Sequence, residues 1–514
     1  MTRAWKAALA VALVAASVPA GAGPATARAT AVPYVAGWPM AGQNHSNTRF
    51  AATETLISAG NAARLRPRWT AALGGNVAAT PTVSGGTVYV PDYGGKLTAL
   101  DAVTGAVRWQ RPVSDYSGVA GDVSRTSPAI YGTTLVLGDG VSSVPGAGGA
   151  RVMAATRATG TPLWSTVIDA DPVSMVTTSP VVDGTTVYVG TASRAEFGAP
   201  GPVTFRGAVV ALNAVTGTVL WRRYMAPAGY TGNSVWGSSF VVDHVTGRLF
   251  VATGNNYTVP DGVCTRPGQR DCEQGPADNY TDSVVALNLR TGAVEWAFRT
   301  LTADVGTEEC ETCGPDFDFG SAPSLISTPA RTILGVGQKS GIYWALDPVT
   351  GKEIWHTVVG PGSDLGGIEW GSATDGRRVY VGIGNAEHEE YEITGADGTT
   401  TTTDGGSWAA LDATTGRILW QVADPYGTLD LGFISAAGGV VFAGGINGEA
   451  DSMFALDAAT GRILWRYRSG GAVIGGAAIV AGTVYWGSGY WFGLCSDGTY
   501  ACAQNNKLYA FSPA

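Results

Sequence analysis

The chain has 514 residues, of which 14% are charged and 73 are glycine, against averages of about 25% and about 7%. Its 45% apolar content excludes wholesale disorder. A net charge of -9 argues against nucleic acid or an anionic membrane as the main partner. Many glycines, few charges and 16 tryptophans point to short strands joined by tight turns.

The first elements read as a targeting segment. Arg3 and Lys6 precede an apolar run from Ala7 to Val18, too short to span a bilayer, and small residues follow at Pro19-Ala20-Gly21-Ala22. Residues 1–31 are therefore expected to be a secretory signal peptide with an approximate cleavage point. Residues 32–514 are expected to form a single propeller in a secreted, extracytoplasmic protein. No later run of apolar residues has the length of a membrane span.

From there a pattern of the type Ala-Leu-Asp-Ala-x-Thr-Gly-x-x-x-Trp recurs, from Ala99–Trp109 through Ala455–Trp465. Its glycines, Gly105, Gly160, Gly217, Gly292, Gly351, Gly416 and Gly461, are spaced 55, 57, 75, 59, 65 and 45 residues apart. Periods of this size mark solenoids or propellers. Each unit carries four strand signals, A to D. The Asp/Asn-x-x-Thr-Gly segment is the C–D turn, where glycine supplies a positive φ. The tryptophan on strand D is large enough to fill the gap between adjacent sheets.

Strand B recurs eight times, through Val88, Leu135, Val187, Leu249, Ile333, Val379, Val441 and Val484. The last unit ends after strand C, at Lys507–Phe511, and Arg66–Ala71 supplies its missing D strand. The fold class is thus all-β, an eight-bladed β-propeller with Trp-motif blades. Its last blade is closed by the N-terminal strand.

The six cysteines lie in near pairs, 264 with 272, 310 with 313 and 495 with 502. An exported chain keeps disulfides, and local pairing is the simplest of the connectivities. A redox dithiol or half of a zinc site is the alternative for Cys310 and Cys313, but no second such pair and no histidine accompany them. Gly314 stands where covalent haem attachment needs histidine.

In a four-stranded antiparallel blade the D–A and B–C connections share one face. The long inserts 256–282, 386–407 and 489–506 are all B–C connections, and long loops on a rigid scaffold carry function. Polar residues that break the repeat sit on the same face. They are Arg125, Thr178, Glu196, Asn255, Asp316, Asp318 and Lys339, with Trp236 beside them. Each has an ordinary reading as a turn residue, a solvated charge, a strand cap or an inter-blade plug. Together they can converge on one axial cavity. The oxygens of Glu196, Asn255 and Asp318 suit a hard cation, calcium in particular.

The repeated Trp motif, the eight blades and Trp38-Pro-Met-Ala-Gly-Gln-Asn-His-Ser-Asn-Thr-Arg49 resemble the quinoprotein alcohol dehydrogenases, in particular the polyvinyl alcohol dehydrogenase branch. That resemblance implies pyrroloquinoline quinone (PQQ) and Ca2+ on the propeller axis. It implies Glu196, Asn255 and Asp318 as metal ligands, Asp318 also as the catalytic base, and Trp236 as the floor under the quinone. Arg125, Thr178, Ser193 and Lys339 would bind the cofactor. Three positions depart from the family. Val119 and Ala120 stand where methanol-oxidising members have adjacent cysteines, and Gly320 where lanthanide users have a further aspartate. One extra residue separates Trp236 from Asn255.

The implied reaction oxidises a secondary or polymeric alcohol, such as polyvinyl alcohol, to a carbonyl. Calcium acts as Lewis acid, Asp318 takes the hydroxyl proton, and Lys339 and Arg125 stabilise negative charge on the quinone oxygens. Without a haem, a separate cytochrome or quinone must accept the electrons. The alternative is a non-catalytic propeller that binds protein or polysaccharide. A glycan-active enzyme using Asp316 and Asp318 as its acid pair is a weaker reading.

Overall fold

The computed structural model describes residues 37–140, 148–197, 202–237, 239–307, 314–490 and 504–514. The expected signal peptide and the pairs Cys310/Cys313 and Cys495/Cys502 lie outside these residues.

Strand D meets strand C in a constant way. In seven blades an alanine on strand C pairs with the motif tryptophan on strand D, from Ala99 with Trp109 to Ala455 with Trp465. A register shift follows each time, one residue along strand C. The bulge turns the indole toward the next blade, where it lies over the Thr-Gly turn. A Cβ on Gly217 would sit 2.5 Å from Trp164 Cε3, and one on Gly351 2.5 Å from Trp296 Cε3. Both glycines also have positive φ, 74° and 70°. Two physical demands, a left-handed turn and room for an indole, thus select the same residue. The indole N–H closes the contact. Trp109 donates to Arg157 O at 2.9 Å, and Trp221 to Leu289 O at 3.2 Å.

These contacts stack eight four-stranded antiparallel sheets, seven of them in the chain order A to D. Strand B is in turn Thr87–Asp92, Thr134–Gly138, Thr186–Gly190, Arg248–Ala252, Thr332–Gly337, Arg378–Ile383, Val440–Gly444 and Thr483–Gly487. Blade 8 consists of Ala478–Val480, Thr483–Gly487, Lys507–Pro513 and the N-terminal strand Leu65–Ala72. Trp69 pairs with Ala510 in that sheet. The seam is sealed as elsewhere: Trp465 of blade 7 donates to Leu65 O at 3.0 Å, and Trp69 to Ala102 O at 3.1 Å. Among the described residues, no helix is long and apolar enough to cross a membrane.

The segment 38–51 has a role that its sequence did not reveal. It passes the A strands in succession, exchanging backbone hydrogen bonds with Val83 and Ala436 and accepting them from the N–H of Ile130, Val242, Leu325 and Thr374. His45 adds a ring contact to Val182 O at 2.9 Å. All of these positions lie near A–B turns, the end of the blades away from the long loops. This girdle ties blades 1 to 7 together at that end.

Candidate functional site

At the other end the D–A links and B–C loops line a partly open cavity. Arg125, Trp236 and Asp318 reach it from D–A links, and Ser193, Glu196 and Lys339 from B–C loops. The face assigned from strand order is therefore the face that holds the cavity.

Its centre is a charge cluster built on two short segments. Lys339 follows strand B of blade 5, and its Nζ lies 2.9 Å from Asp316 Oδ2 and 3.0 Å from Asp318 Oδ1. Trp236 donates Nε1–H to Asp318 Oδ2 at 2.7 Å. Asp318 is thus held from both sides. The loop beneath is fixed by Asp304, whose carboxylate accepts from the backbone N–H of Asp316 at 3.1 Å and of Phe317 at 2.9 Å. Gln338 donates to Phe317 O and to Thr300 Oγ1.

Burial sets the electrostatics. Burial alone lowers the pKa of Lys339, but Asp316, Asp318, Glu369 and Glu196 together outweigh it and hold the ammonium well above its ordinary value. Burial drives the Asp316 carboxyl well up, opposed by Lys339 and reinforced by Asp318 and Glu196. Glu369 is pushed up to about 8, first by burial and then by Asp318, against the pull of Lys339. Asp304 is pushed up to about 6, mainly by burial.

The aromatic walls are Trp236 and Trp370, with ring centroids 5.3 Å apart and planes at 88°. Lys339 Nζ sits 5.3 Å from the Trp236 ring centroid, and Arg125 Cζ 4.4 Å from that of Trp370. Two glycines make room for Trp236. A Cβ on Gly320 would lie 2.6 Å from Trp236 Cη2, so any side chain there collides with the indole. A Cβ on Gly254 would lie 2.7 Å from Asp318 Oδ2.

Of the residues singled out from sequence, Arg125, Ser193, Glu196, Trp236, Asp318 and Lys339 line this one cavity. Thr178 and Asn255 do not. Thr178 is fully buried and its hydroxyl donates to Val235 O at 2.5 Å; its neighbour Thr177 faces the cavity instead. Adjacent residues of an extended chain point to opposite sides, so a one-residue error in such a reading exchanges wall for core. Asn255 lies behind the wall, and its amide donates to Gly306 O at 3.2 Å.

Sequence reasoning missed Glu369, Trp370, Tyr257 and Met175, which also line the cavity. Glu369 and Trp370 sit in the D–A link between blades 5 and 6. Trp370 has a φ of +56°, unusual for a bulky residue. A Glu-Trp step inside the glycine-rich stretch 360–371 was the available signal. Cys264 and Cys272 form a disulfide in the blade 4 insert, with Cα atoms 5.1 Å apart. The local pairing expected for that pair is present.

The donor set fits the groups that the resemblance implies. Glu196, Asp316 and Asp318 supply carboxylate oxygens to one cavity, and Asp316 Oδ1 has no hydrogen-bond partner among the described residues. These are hard donors suited to calcium. Lys339 and Arg125 offer positive charge to an anionic planar cofactor, and Trp236 offers a flat indole for it to lie against.

Residues 38–361 match the family model described as the glucose/ethanol/alcohol dehydrogenase β-propeller domain of the PQQ type. Residues 404–512 match a second model, the outer membrane protein assembly factor BamB. A polyvinylalcohol dehydrogenase of Sphingopyxis sp. (strain 113P3) is 31% identical over 70% of this chain and 54% of its own length. One of Pseudomonas sp. is 32% identical over 68% of this chain and 54% of its own. Among solved structures, the quinohemoprotein alcohol dehydrogenase ADHIIG of Pseudomonas putida HK5 gives a TM-score of 0.71 at 20% identity, covering 93% of this chain and 80% of that one. The chain belongs to the PQQ-dependent alcohol dehydrogenase β-propeller family. It spans about half the length of the curated relatives it matches.

Proposed function

We propose that the chain is a PQQ- and calcium-dependent alcohol dehydrogenase, secreted by means of residues 1–31 and folded as one propeller over 32–514. It would oxidise a secondary or polymeric alcohol, such as polyvinyl alcohol, to a carbonyl and hand electrons to a separate cytochrome or quinone. The observation that carries this reading is the convergence of Glu196, Asp318, Lys339, Arg125 and Trp236 on one cavity. The two polyvinylalcohol dehydrogenase relatives support the choice of substrate class.

When bound, PQQ supplies the two-electron acceptor and calcium the Lewis acid. Glu196 and Asp318 would hold the cation, with Asp316 as a further oxygen donor. Trp236 would carry the cofactor ring, while Arg125 and Lys339 neutralise its oxygens. Trp236 Nε1 occupies Asp318 Oδ2, so the proton of the substrate hydroxyl would go to Oδ1, the oxygen that Lys339 approaches at 3.0 Å. Lys339 bridges that carboxylate and Asp316. It remains paired with Asp316 once Asp318 is protonated, so the ammonium stays in place through the cycle.

Purified apoprotein titrated with PQQ and Ca2+, then assayed by dye reduction on an alcohol panel, tests this. Calcium-dependent PQQ binding and turnover of a secondary or polymeric alcohol are expected. Failure to bind PQQ would leave the non-catalytic binding module as the better reading.

A further inference from the structure

The D–A link between blades 6 and 7 holds a second group of buried oxygens, away from the cavity lining. It runs Asp424-Pro-Tyr-Gly-Thr428-Leu-Asp430, after the strand Ile418–Ala423 and before Ser435–Ala437. Asp424 is 4% exposed and Asp430 1%. Asp424 Oδ1 is engaged by Tyr426 N–H at 2.6 Å. Among the described residues, Asp424 Oδ2, Thr428 Oγ1 and both Asp430 oxygens have no hydrogen-bond partner within geometric limits.

These atoms aim at one spot. Gly445, the first residue after strand B of blade 7, has no side chain there. From the position its Cβ would take, Asp430 Oδ1 lies 3.2 Å away, Asp424 Oδ2 3.4 Å and Thr428 Oγ1 3.6 Å. Burial raises both carboxyl groups, Asp424 to about 6 and Asp430 well above its ordinary value, and among the described residues no cationic side chain offsets the Asp430 charge.

Two buried carboxylates in contact must be compensated. One shared proton would join Asp424 Oδ2 to one Asp430 oxygen. The Thr428 hydroxyl can donate to Asp424, and the other Asp430 oxygen would still be left unsatisfied. A divalent cation engages Asp424 Oδ2, Thr428 Oγ1 and Asp430 Oδ1, which face one space, and cancels both charges. Calcium takes six to eight oxygens at roughly 2.3–2.6 Å, and water or backbone carbonyls complete such shells.

We propose that Asp424, Thr428 and Asp430, around the space left by Gly445, form a second hard divalent-cation site of calcium type, distinct from the axial cavity. The cation fastens the link between blades 6 and 7. Leu429, Leu431 and Ile446 flank the site and belong to the apolar cluster that contains Trp370 and Tyr490. Both of these also line the axial cavity. The site therefore braces that wall without touching what the cavity binds. The proposal does not depend on PQQ.

The test is calcium stoichiometry by elemental analysis of the full-length protein after equilibration in CaCl2 and gel filtration. Melting temperature is measured in parallel with calcium and with chelator. Asp430→Asn and Gly445→Ala are each compared with their parent, both in the wild-type and in a Glu196→Gln background. Each variant is expected to carry one calcium fewer per chain than its parent in both backgrounds, and to lose part of the calcium-dependent rise in melting temperature. Gly445→Ala changes no charge, so it decides the matter if Asp430→Asn does not fold. Unchanged stoichiometry in Gly445→Ala overturns the site. So does a Glu196→Gln protein that binds no calcium, since the carboxyl pair then holds a proton.

Discussion

Aspartate behaves in opposite ways on the two faces of this propeller. On the face of short turns, Asp101 accepts from the backbone of Val103 and Thr104 and from Arg108. The Arg108 and Thr104 hydrogen bonds hold its carboxyl well below the usual range. For Asp347 burial raises the pKa, but hydrogen bonds from Thr350 and Val349 together outweigh it and the net shift is downward. On the face of long loops, Asp316 and Asp430 are driven up by burial, and each keeps at least one oxygen without a hydrogen-bond partner. The turn satisfies its own aspartate locally, so that residue makes architecture. The loop face buries carboxylates without enough donors, so those residues demand a ligand, a proton or a cation.

The strongest way to break this contrast is at Asp318. Asp318→Asn is expected to retain PQQ but to turn over an accepted alcohol about 10²–10⁴-fold more slowly, the usual worth of positioned proton transfer. Steady-state dye reduction on cofactor-loaded protein measures it, and wild-type turnover would remove the general-base role. Against this, Trp465→Ala should act on architecture alone. Loss of the indole that seals blade 7 onto the N-terminal strand should cost about 3–5 kcal/mol, read from denaturant unfolding.

Glu196→Ala should sharpen the contrast within the loop face. It should weaken calcium-dependent PQQ binding more than Asn255→Ala does, because Glu196 lines the cavity and Asn255 lies behind its wall. Calorimetry on apoprotein decides this. Equal losses would mean that Asn255 turns inward when the cation binds.

The smallest effect is the pH dependence carried by Glu369. Its folded pKa of about 8 lies above the ordinary value of 4.5, so the native state binds the proton more tightly than the unfolded state. Stability from this group is present below about pH 4.5 and declines as pH rises toward about 8. Glu369→Gln apoprotein should therefore melt near the wild-type temperature at pH 5 and a few degrees above it at pH 8. An unchanged difference across that range would mean that Glu369 ionises freely.

The blade count, the closure by Arg66–Ala71 and the face that holds the cavity were legible in the sequence. Each follows from local repetition: a strand alternation, a turn glycine and an indole recurring at a readable period. The positions of Glu196, Asp318 and Lys339 were legible too, because charges that interrupt an apolar repeat at strand ends stand out. Their assigned chemistry came from family resemblance. Which neighbour faces inward was not legible. Thr177 displaces Thr178 because extended backbone alternates its sides, and the register at a strand end is set by contacts with the next blade. Trp370 reaches the cavity through a left-handed backbone that no propensity would give a tryptophan. The Asp424–Asp430 pair became a site only where blade 7 brought Gly445 against it. Short-range pattern determines which elements form and how they close; orientation at the loop face depends on packing between blades distant in sequence, and only the tertiary structure contains that.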